Sequence, residues 1–446
     1  PTISAKSHQI NYQLVVISTG YGYIAAQRKG GKYIMFKQIH QNFNAAFFAM
    51  ALATFAFSSL PNDAAAEDAE RNSLALEEVV VTARKKSESI QDVPMAVTAI
   101  TGQLREGSVR RLEDIQEFAP NLFINRTPGI ASGAAITIRG VASLESDKSF
   151  EPSIGVVMDG MFLGTSSGVL LDNFDIERIE VLRGPQGTLF GKNTTGGILN
   201  IIRTPVSLDK MGVDLKLTGG EYGRQDVSAV AQIPIIQDTL GIKLFAAKVE
   251  HDGHVRNTTR NEDVGGDDKT NFGFTALWAP TDNFDLKVHY EIMEDKSVQG
   301  AYVNRNKVGE LACTITQIGF DPANGCEKDA NDGPDKTESD GENFSDNEYE
   351  TTIITANYDT DAFLYTYIYS LRDMDEQNMQ DFDGAPAHLL RMNFFNDWEQ
   401  TSHEFRVTSQ FSDKVQFIAG VYDWEADFEQ RWNVFDLFYQ LSRLGV

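Results

Sequence analysis

The chain has 446 residues and only two cysteines, so a disulfide scaffold is excluded, although a single bridge is available in an oxidising compartment. It is short of positive charge: 39 Lys and Arg stand against 64 Asp and Glu, a net charge of −25. Nucleic acid is therefore excluded as a partner, because binding phosphate requires a basic face. The body of the chain also lacks any run of 18 or more apolar residues, and mean hydropathy is −0.29. A helical membrane protein is excluded on that ground. A membrane β-barrel is not, because its strands alternate apolar and polar residues and look soluble on average. The 36 glycines and 10% aromatics suit a turn-rich β protein.

The N-terminal part reads as an address. Lys37 gives a short basic start, Ala45 to Leu60 is apolar, and Ala64-Ala65-Ala66 fits the small-x-small cleavage rule. Residues 35–66 are thus expected to be a secretory signal peptide. Residues 1–34 precede the first methionine and are expected to be a non-native upstream segment.

Three zones follow. Residues 67–89 read as a polar periplasmic linker with one apolar island at Val79, Val80 and Val81. Residues 90–205 form a compact α+β zone. Residues 206–446 are a series of alternating strands. In Phe284 to Ile292 the apolar residues fall at 284, 286, 288, 290 and 292, with Asp285, Lys287, His289 and Glu291 between them. That period of two makes one oily face and one wet face. Nine runs are predicted, near 213–220, 224–233, 240–251, 270–280, 284–294, 348–359, 363–373, 399–410 and 415–428. Long polar connections at 252–269, 295–347 and 374–398 alternate with short ones. Short turns at one end and long loops at the other favour a transmembrane barrel over a soluble sandwich. Nine strands do not close a barrel of even count, and an open edge in lipid is costly, so the expectation is a piece of a longer barrel.

The motifs sharpen this. Residues 77–84, Glu-Glu-Val-Val-Val-Thr-Ala-Arg, have three β-branched residues in a polar surround. That suits an extended peptide adding a strand to a partner's sheet edge, or the first strand of the next domain. The octet resembles the TonB box of TonB-dependent outer-membrane receptors, with Glu78, Val79, Val80, Val81, Thr82 and Ala83 as its body. The stretches Ile90 to Ile100, Leu112 to Asn121, Ile138-Arg139-Gly140, Asp159-Gly160, Ile176 to Gly191 and Gly196 to Asn200 resemble the plug domain of that family in order and spacing. The resemblance is close over residues 77–205, while the later strands match only in kind.

The resemblance implies a plug filling a membrane β-barrel of about 22 antiparallel strands, of which about nine are present here. It implies an extracellular small-molecule ligand, often a ferric siderophore, and a TonB protein that pulls on the box. ExbB and ExbD in the inner membrane complete the partner set, and the receptor is expected to be a monomer embedded in outer-membrane lipid of a Gram-negative bacterium. No resident cofactor is expected; iron enters only within a transported chelate. A receptor of this type is not an enzyme, and the sequence presents no convergent acid, base and nucleophile. Cobalamin or an oligosaccharide is the alternative cargo. A passive porin fits less well, because box and plug have no place in one. A non-functional fragment is the remaining alternative.

Other residues carry expectations of their own. Gly140, Gly184, Gly187, Gly191, Gly196 and Gly197 are expected at tight turns of the plug. Arg139, Arg178 and Arg183, with Glu177 and Glu180, are charges within apolar strand segments; buried in a barrel they must pair with each other or with wall carboxylates. The family resemblance implies the second, a latch between plug and wall. Gly187 to Asn193 lacks the glycine spacing and the Ser or Thr of a phosphate loop, and no amphipathic helix follows Gly164 to Gly168 as a catalytic-serine turn requires. No metal site is expected; His251 and His254 read as solvated. Cys313 and Cys326, thirteen residues apart in the longest loop, are expected to form a disulfide worth about 3 kcal/mol. Ligand contacts are expected on plug loops 126–134 and 143–151, with Phe394, Phe395 and Trp398 as further candidates.

Overall fold

The computed structural model describes residues 2–4 and 79–435, with breaks at 106, 108, 128–129, 131–132, 144–146, 170–173, 299, 301, 304–334, 387–389 and 412–415. The signal peptide, Glu78, the Cys313–Cys326 pair and all of the upstream segment except Thr2–Ser4 lie outside the described residues.

Residues 79–203 build an inner domain. A hairpin of β1 (Val80–Val81) and β2 (Glu88–Ser89) opens it. A five-stranded sheet follows, in spatial order β3 (Val97–Ile100), β9 (Ile176–Arg183), β10 (Gly197–Arg203), β7 (Ile154–Met158) and β8 (Met161–Leu163). A second sheet pairs β4 (Leu122–Arg126), β5 (Ala134–Ile138) and β6 (Val141–Ser143). Strands β7 and β10 carry Ile, Val, Leu and Met on both faces and are buried on both, as a central strand requires. The core between the sheets contains Ile100, Leu122, Ile136, Val156, Ile179, Val181 and Leu199. Two glycines earn their place here. Gly184 turns the chain with φ +98°, and a Cβ on Gly196 would sit 2.3 Å from the Ile154 side chain. Gly140, Gly191 and Gly197 also take positive φ, whereas Gly187 does not, and a Cβ there would make only an ordinary contact with Thr194 Oγ1 at 4.0 Å.

Among the described residues, nine long strands make the outer wall: β11 (Gly212–Gly219), β12 (Gln225–Ile236), β13 (Leu240–His251), β14 (Asp267–Thr281), β15 (Phe284–Asp295), β16 (Phe344–Asp359), β17 (Phe363–Asp381), β18 (Arg391–Ser409) and β19 (Ile418–Phe435). Each pairs antiparallel with its sequence neighbour, so the order in space is the order in the chain. Thr2–Ser4 lies antiparallel on β19, and β11 and β19 do not pair with each other among the described residues. The strands run longer than expected at the long-loop end. β17 reaches Asp381 and β18 starts at Arg391, so the connection expected over 374–398 shrinks to 382–390. Both faces are polar there, with Asp373, Asp375 and Gln377 alternating with Glu376 and Asn378, and no hydropathy period marks the strand.

The wall is the inverse of a soluble sheet. One lateral row on the inner face runs Gln232, Lys243, Thr275, His289, Ile353, Ser370, Ser402. Nearly all of it is polar, and Lys243, Thr275, His289, Ser370 and Ser402 are buried. The outer row Val213, Ala231, Leu244, Phe274, Tyr290 is apolar or aromatic. Trp278, Phe284, Tyr358, Phe363, Tyr365, Phe405, Phe411 and Phe417 gather at the short-turn end, with ring contacts such as Trp278–Phe284 at 6.0 Å and Phe363–Phe411 at 5.7 Å. An apolar band facing out, bordered by an aromatic girdle, is how a barrel meets lipid. Towards the loop end the outer face turns acidic. Glu294, Glu348, Asp375, Asp397 and Glu429 lie opposite one another across five strands.

Candidate functional site

The site begins with the hairpin. Residues 79–89 were expected in a linker, but they fold back on the inner domain. Val80 pairs with Ser89 and Val81 with Glu88, and the Ile90 N–H donates to the Val79 carbonyl at 2.9 Å. Val81 and Ala83 are fully buried, in a cluster with Val93, Val157, Phe162, Leu182 and Ile198. The cause is the alternation of the octet. Val79, Val81 and Ala83 are small and apolar and pack into the cluster, while Val80 is exposed and the Thr82 hydroxyl turns to the Glu180 carboxylate. Burying one valine contributes about 1.5–3 kcal/mol, enough to hold a short segment whose own ladder has two rungs.

Thr82 connects the hairpin to the sheet. Its backbone N–H donates to Glu180 Oε1 at 2.7 Å, and Arg178 Nε and Asn200 Nδ2 donate to the same carboxylate at 2.9 and 3.0 Å. Glu180 has no solvent exposure, so these donors supply what water cannot. Beyond the hairpin, Lys85 Nζ lies 2.8 Å from Glu404 Oε1 on β18. Burial lowers the Lys85 ammonium pKa from its ordinary value, and Glu404 opposes that shift.

The expected latch is corrected. Arg178 pairs with Glu177 and Glu180 inside the same domain, and Arg183 donates to Thr98 Oγ1 at 2.8 Å and towards the Pro120 carbonyl. Arg139 is exposed at a turn with φ +50°. Of the two pairings the buried charges left open, Arg178 and Glu180 take the one within the domain.

The fastening to the wall uses other residues. Arg203 at the end of β10 meets Glu291 on β15 at 2.5 Å and Asp159 at 3.7 Å. Lys243 on β13 meets Asp175 at 2.7 Å and also donates to the Thr204 carbonyl at 2.6 Å. Lys148 meets Glu376 on β17 at 2.9 Å, and burial pulls the Lys148 ammonium pKa down against the pull of Glu376. Arg111 and Arg126 both reach Asp267 at the start of β14, at 3.0 and 3.1 Å, and His251 Nε2 lies 2.9 Å from the same carboxylate. His251 is therefore tied into the seam and not solvated. A sequence signal for these pairs exists. Lys243, Glu291, Glu376 and Glu404 occupy inward positions of the wall strands, where an ionised group needs a partner.

The aromatic candidates divide. Phe394 and Trp398 face inward and are buried, at 5.3 Å from Trp432 and 5.7 Å from Phe428 respectively. Phe395 has the opposite parity and lies under Arg431, away from the interior. The loops 126–134 and 143–151 are only partly described; in the second, Lys148 is committed to Glu376.

Comparison with known proteins places this geometry. Residues 89–198 match the family model of the TonB-dependent Receptor Plug Domain. The chain carries a TonB-dependent receptor plug. It is 25% identical over 268 residues to the pesticin receptor of Yersinia enterocolitica, covering 59% of this chain and 38% of that one. It is 28% identical over 131 residues to the vitamin B12 transporter BtuB of Vibrio vulnificus, covering 28% of this chain and 20% of that one. Among solved structures, the ferric yersiniabactin uptake receptor FyuA from Yersinia pestis superposes with a TM-score of 0.64 at 19% identity, over 76% of this chain and 50% of that one. The ferripyoverdine receptor of the Pseudomonas aeruginosa outer membrane gives 0.59 at 11% identity, over 80% and 47%. The chain thus spans well under half of the pesticin receptor and about half of these structures. The shared fold is a plug enclosed by an antiparallel barrel wall, and the inner domain described above is that plug.

Proposed function

We propose that this chain acts in energised uptake of a scarce, large nutrient, a ferric siderophore, through the outer membrane of a Gram-negative bacterium. The observation that carries the reading is a folded plug, fastened by buried ion pairs to a wall that is polar inside and apolar outside, with a short β-branched segment stowed at its short-turn end. Residues 78–83 serve as the TonB box, a strand that peels away and adds to an edge of TonB. ExbB and ExbD supply the energised state, and the receptor works as a monomer. Iron is cargo and needs no resident site. The names of the similar proteins span a ferric chelate, pesticin and vitamin B12; binding residues concentrate on loops carried by a rigid scaffold, which supports reading the loops above the plug as the seat of cargo choice.

The test is growth and labelled ferric-chelate uptake under iron limitation, with the gene intact, deleted, or lacking codons 78–83. Loss of uptake in both altered strains, with ligand binding retained in the box deletion, is the expected result. Unchanged iron uptake in the gene deletion, with a defect on another nutrient, would overturn the iron reading.

A further inference from the structure

Between the plug and β15–β19, at the short-turn end, lies a cavity of about 590 Å³, a volume typical of small-molecule sites. Its loop-end side is fixed by ties from plug to wall. Arg203 meets Glu291 on β15, and Arg372 on β17 donates to the Ser167 and Gly168 carbonyls at 3.1 and 3.2 Å. Gln400 on β18 donates to the Phe162 carbonyl at 2.6 Å and accepts from the Gly164 N–H at 2.9 Å. The cavity is thus a built space and not slack between two loose parts.

Its wall carries hydrogen-bond donors without acceptors. Lys287 on β15 lines the cavity, and its ammonium makes no hydrogen bond and no ion pair among the described residues. Asp285, two residues away on the same face, is turned to the Asn357 amide at 3.1 Å, and Asp159 acts on Lys287 through its field alone. Thr355 stands directly opposite Lys287 on β16, and its buried hydroxyl has no hydrogen-bond partner. On β18, Arg406 donates from Nη1 to Glu404 at 2.6 Å, while its buried Nε has no acceptor. The two carboxylates that line the cavity are already engaged: Glu404 by Lys85 and Arg406, Asp159 by the Arg203 backbone N–H at 3.2 Å. Burying a donor without an acceptor is costly, most of all for a charged one. What the site lacks is an acceptor that carries negative charge.

We propose that this cavity binds a small dianionic molecule, with one acidic oxygen group held by Lys287 and Thr355 and the other by Arg406. The spacing argues for two groups. Lys287 and Arg406 stand three strand intervals apart, about 15 Å at the backbone. A single small anion cannot serve both ends at once, whereas a short chain with a carboxylate or phosphate group at each end can. Lysine supplies a point charge and arginine a directed N–H edge, and both suit oxyanions. The site goes beyond the uptake of iron and does not depend on it, since neither end calls for a metal.

The test is isothermal titration calorimetry on the full-length protein in a non-ionic detergent at low ionic strength. Adipate is the dicarboxylate probe, inorganic pyrophosphate the phosphate probe, and hexanoate the control with one charge. Adipate or pyrophosphate is expected to bind at least tenfold more tightly than hexanoate, and the better of the two names the chemistry of the acidic group. K287M should weaken that binding about tenfold and T355V severalfold. Lys287 has no protein partner to lose, so the thermal unfolding midpoint of K287M should match that of the parent. K210M, on an exposed turn, should bind as the parent does. Failure of both dianions to bind, equal affinity for hexanoate, or unchanged affinity in K287M and T355V overturns the proposal. So does an equal loss in K210M, which would mean attraction to the surface at large. Every probe is free of metal, so failure here is distinct from failure of the proposed transport.

Discussion

The Arg203 guanidinium of the plug lies 2.5 Å from the Glu291 carboxylate on β15, and both side chains are almost completely buried. Asn271 Nδ2 donates to the other oxygen of Glu291 at 2.6 Å, and the Arg203 backbone N–H donates to Asp159 at 3.2 Å. The pair is thus embedded in a network and not isolated. Arg203→Met should destabilise plug seating by about 3–5 kcal/mol, because Glu291 is left charged and unpaired. The double variant R203M/E291L should recover most of that loss. Denaturant titration with protease accessibility of the plug as the probe checks both, and equal loss in single and double variants would refute the pairing.

Glu180 gathers the Thr82 N–H, Arg178 and Asn200 around one buried carboxylate. Glu180→Ala strands those donors at a cost of about 1–3 kcal/mol, and the hairpin is the part able to leave. Hydrogen exchange at Val81 and Thr82 should accelerate by one to two orders of magnitude, while exchange in β10 stays slow. Equal acceleration in both segments would show that Glu180 serves the whole sheet and not the hairpin.

The wall strands were legible in the sequence because a barrel in lipid enforces a period of two wherever one face must be apolar. The nine runs expected are the nine strands found, and the errors fall where that pressure ends. Around Asp373 to Asn378 both faces are wet, so strand and loop look alike. The inward wall charges were legible as groups in need of partners, but which plug residue each one meets was not, because the partners are brought together by the fold from far apart in the chain. Asp175 and Lys243 are 68 residues apart, and Lys85 and Glu404 are 319 apart. Arg178 and Glu180 drew attention as charges in an apolar strand, yet i and i+2 on one strand share a face and satisfied each other. The octet was read as linker because its two buried residues, Val81 and Ala83, are too few to register as a strand.

The outward direction of Phe274 can be tested by charge. It sits in the apolar row between Leu244 and Tyr290, whereas Asp346 faces outward near the long-loop end. Phe274→Arg should cost about 2–4 kcal/mol of folding stability in lipid vesicles, and Asp346→Arg close to nothing. Urea titration in vesicles of defined thickness gives both values. Equal tolerance of the two substitutions would place Phe274 outside the hydrocarbon.

Asp375 lies directly opposite Glu348 on one side and Asp397 on the other. Like charges in facing positions oppose strand pairing. Asp375→Asn should therefore stabilise the wall by a few tenths of a kcal/mol at low ionic strength, and the gain should vanish in about 1 M salt as screening sets in. A gain that persists in high salt would point to packing and not to charge.

The loop 382–390 offers the pH test. Asp383 accepts hydrogen bonds from the Ala385 and Leu390 backbone N–H groups at 2.8 and 2.7 Å, next to Asp381, which accepts from Gly341 and Ser339. Burial, and then the Asp381 charge, push the Asp383 carboxyl up to about 8. The closed loop therefore holds a proton that the open loop, with an ordinary aspartate near pH 4, releases. Closure is favoured in full below about pH 4 and weakens as pH rises towards 8, at up to about 1.4 kcal/mol per pH unit. Exchange of the Gly384 and Ala385 amides, corrected for intrinsic rates, should quicken between pH 5 and 8 and level off above that. Asp383→Asn should flatten the profile, since the amide cannot ionise. A pH-dependent profile in that variant would show that Asp383 is not the titrating group.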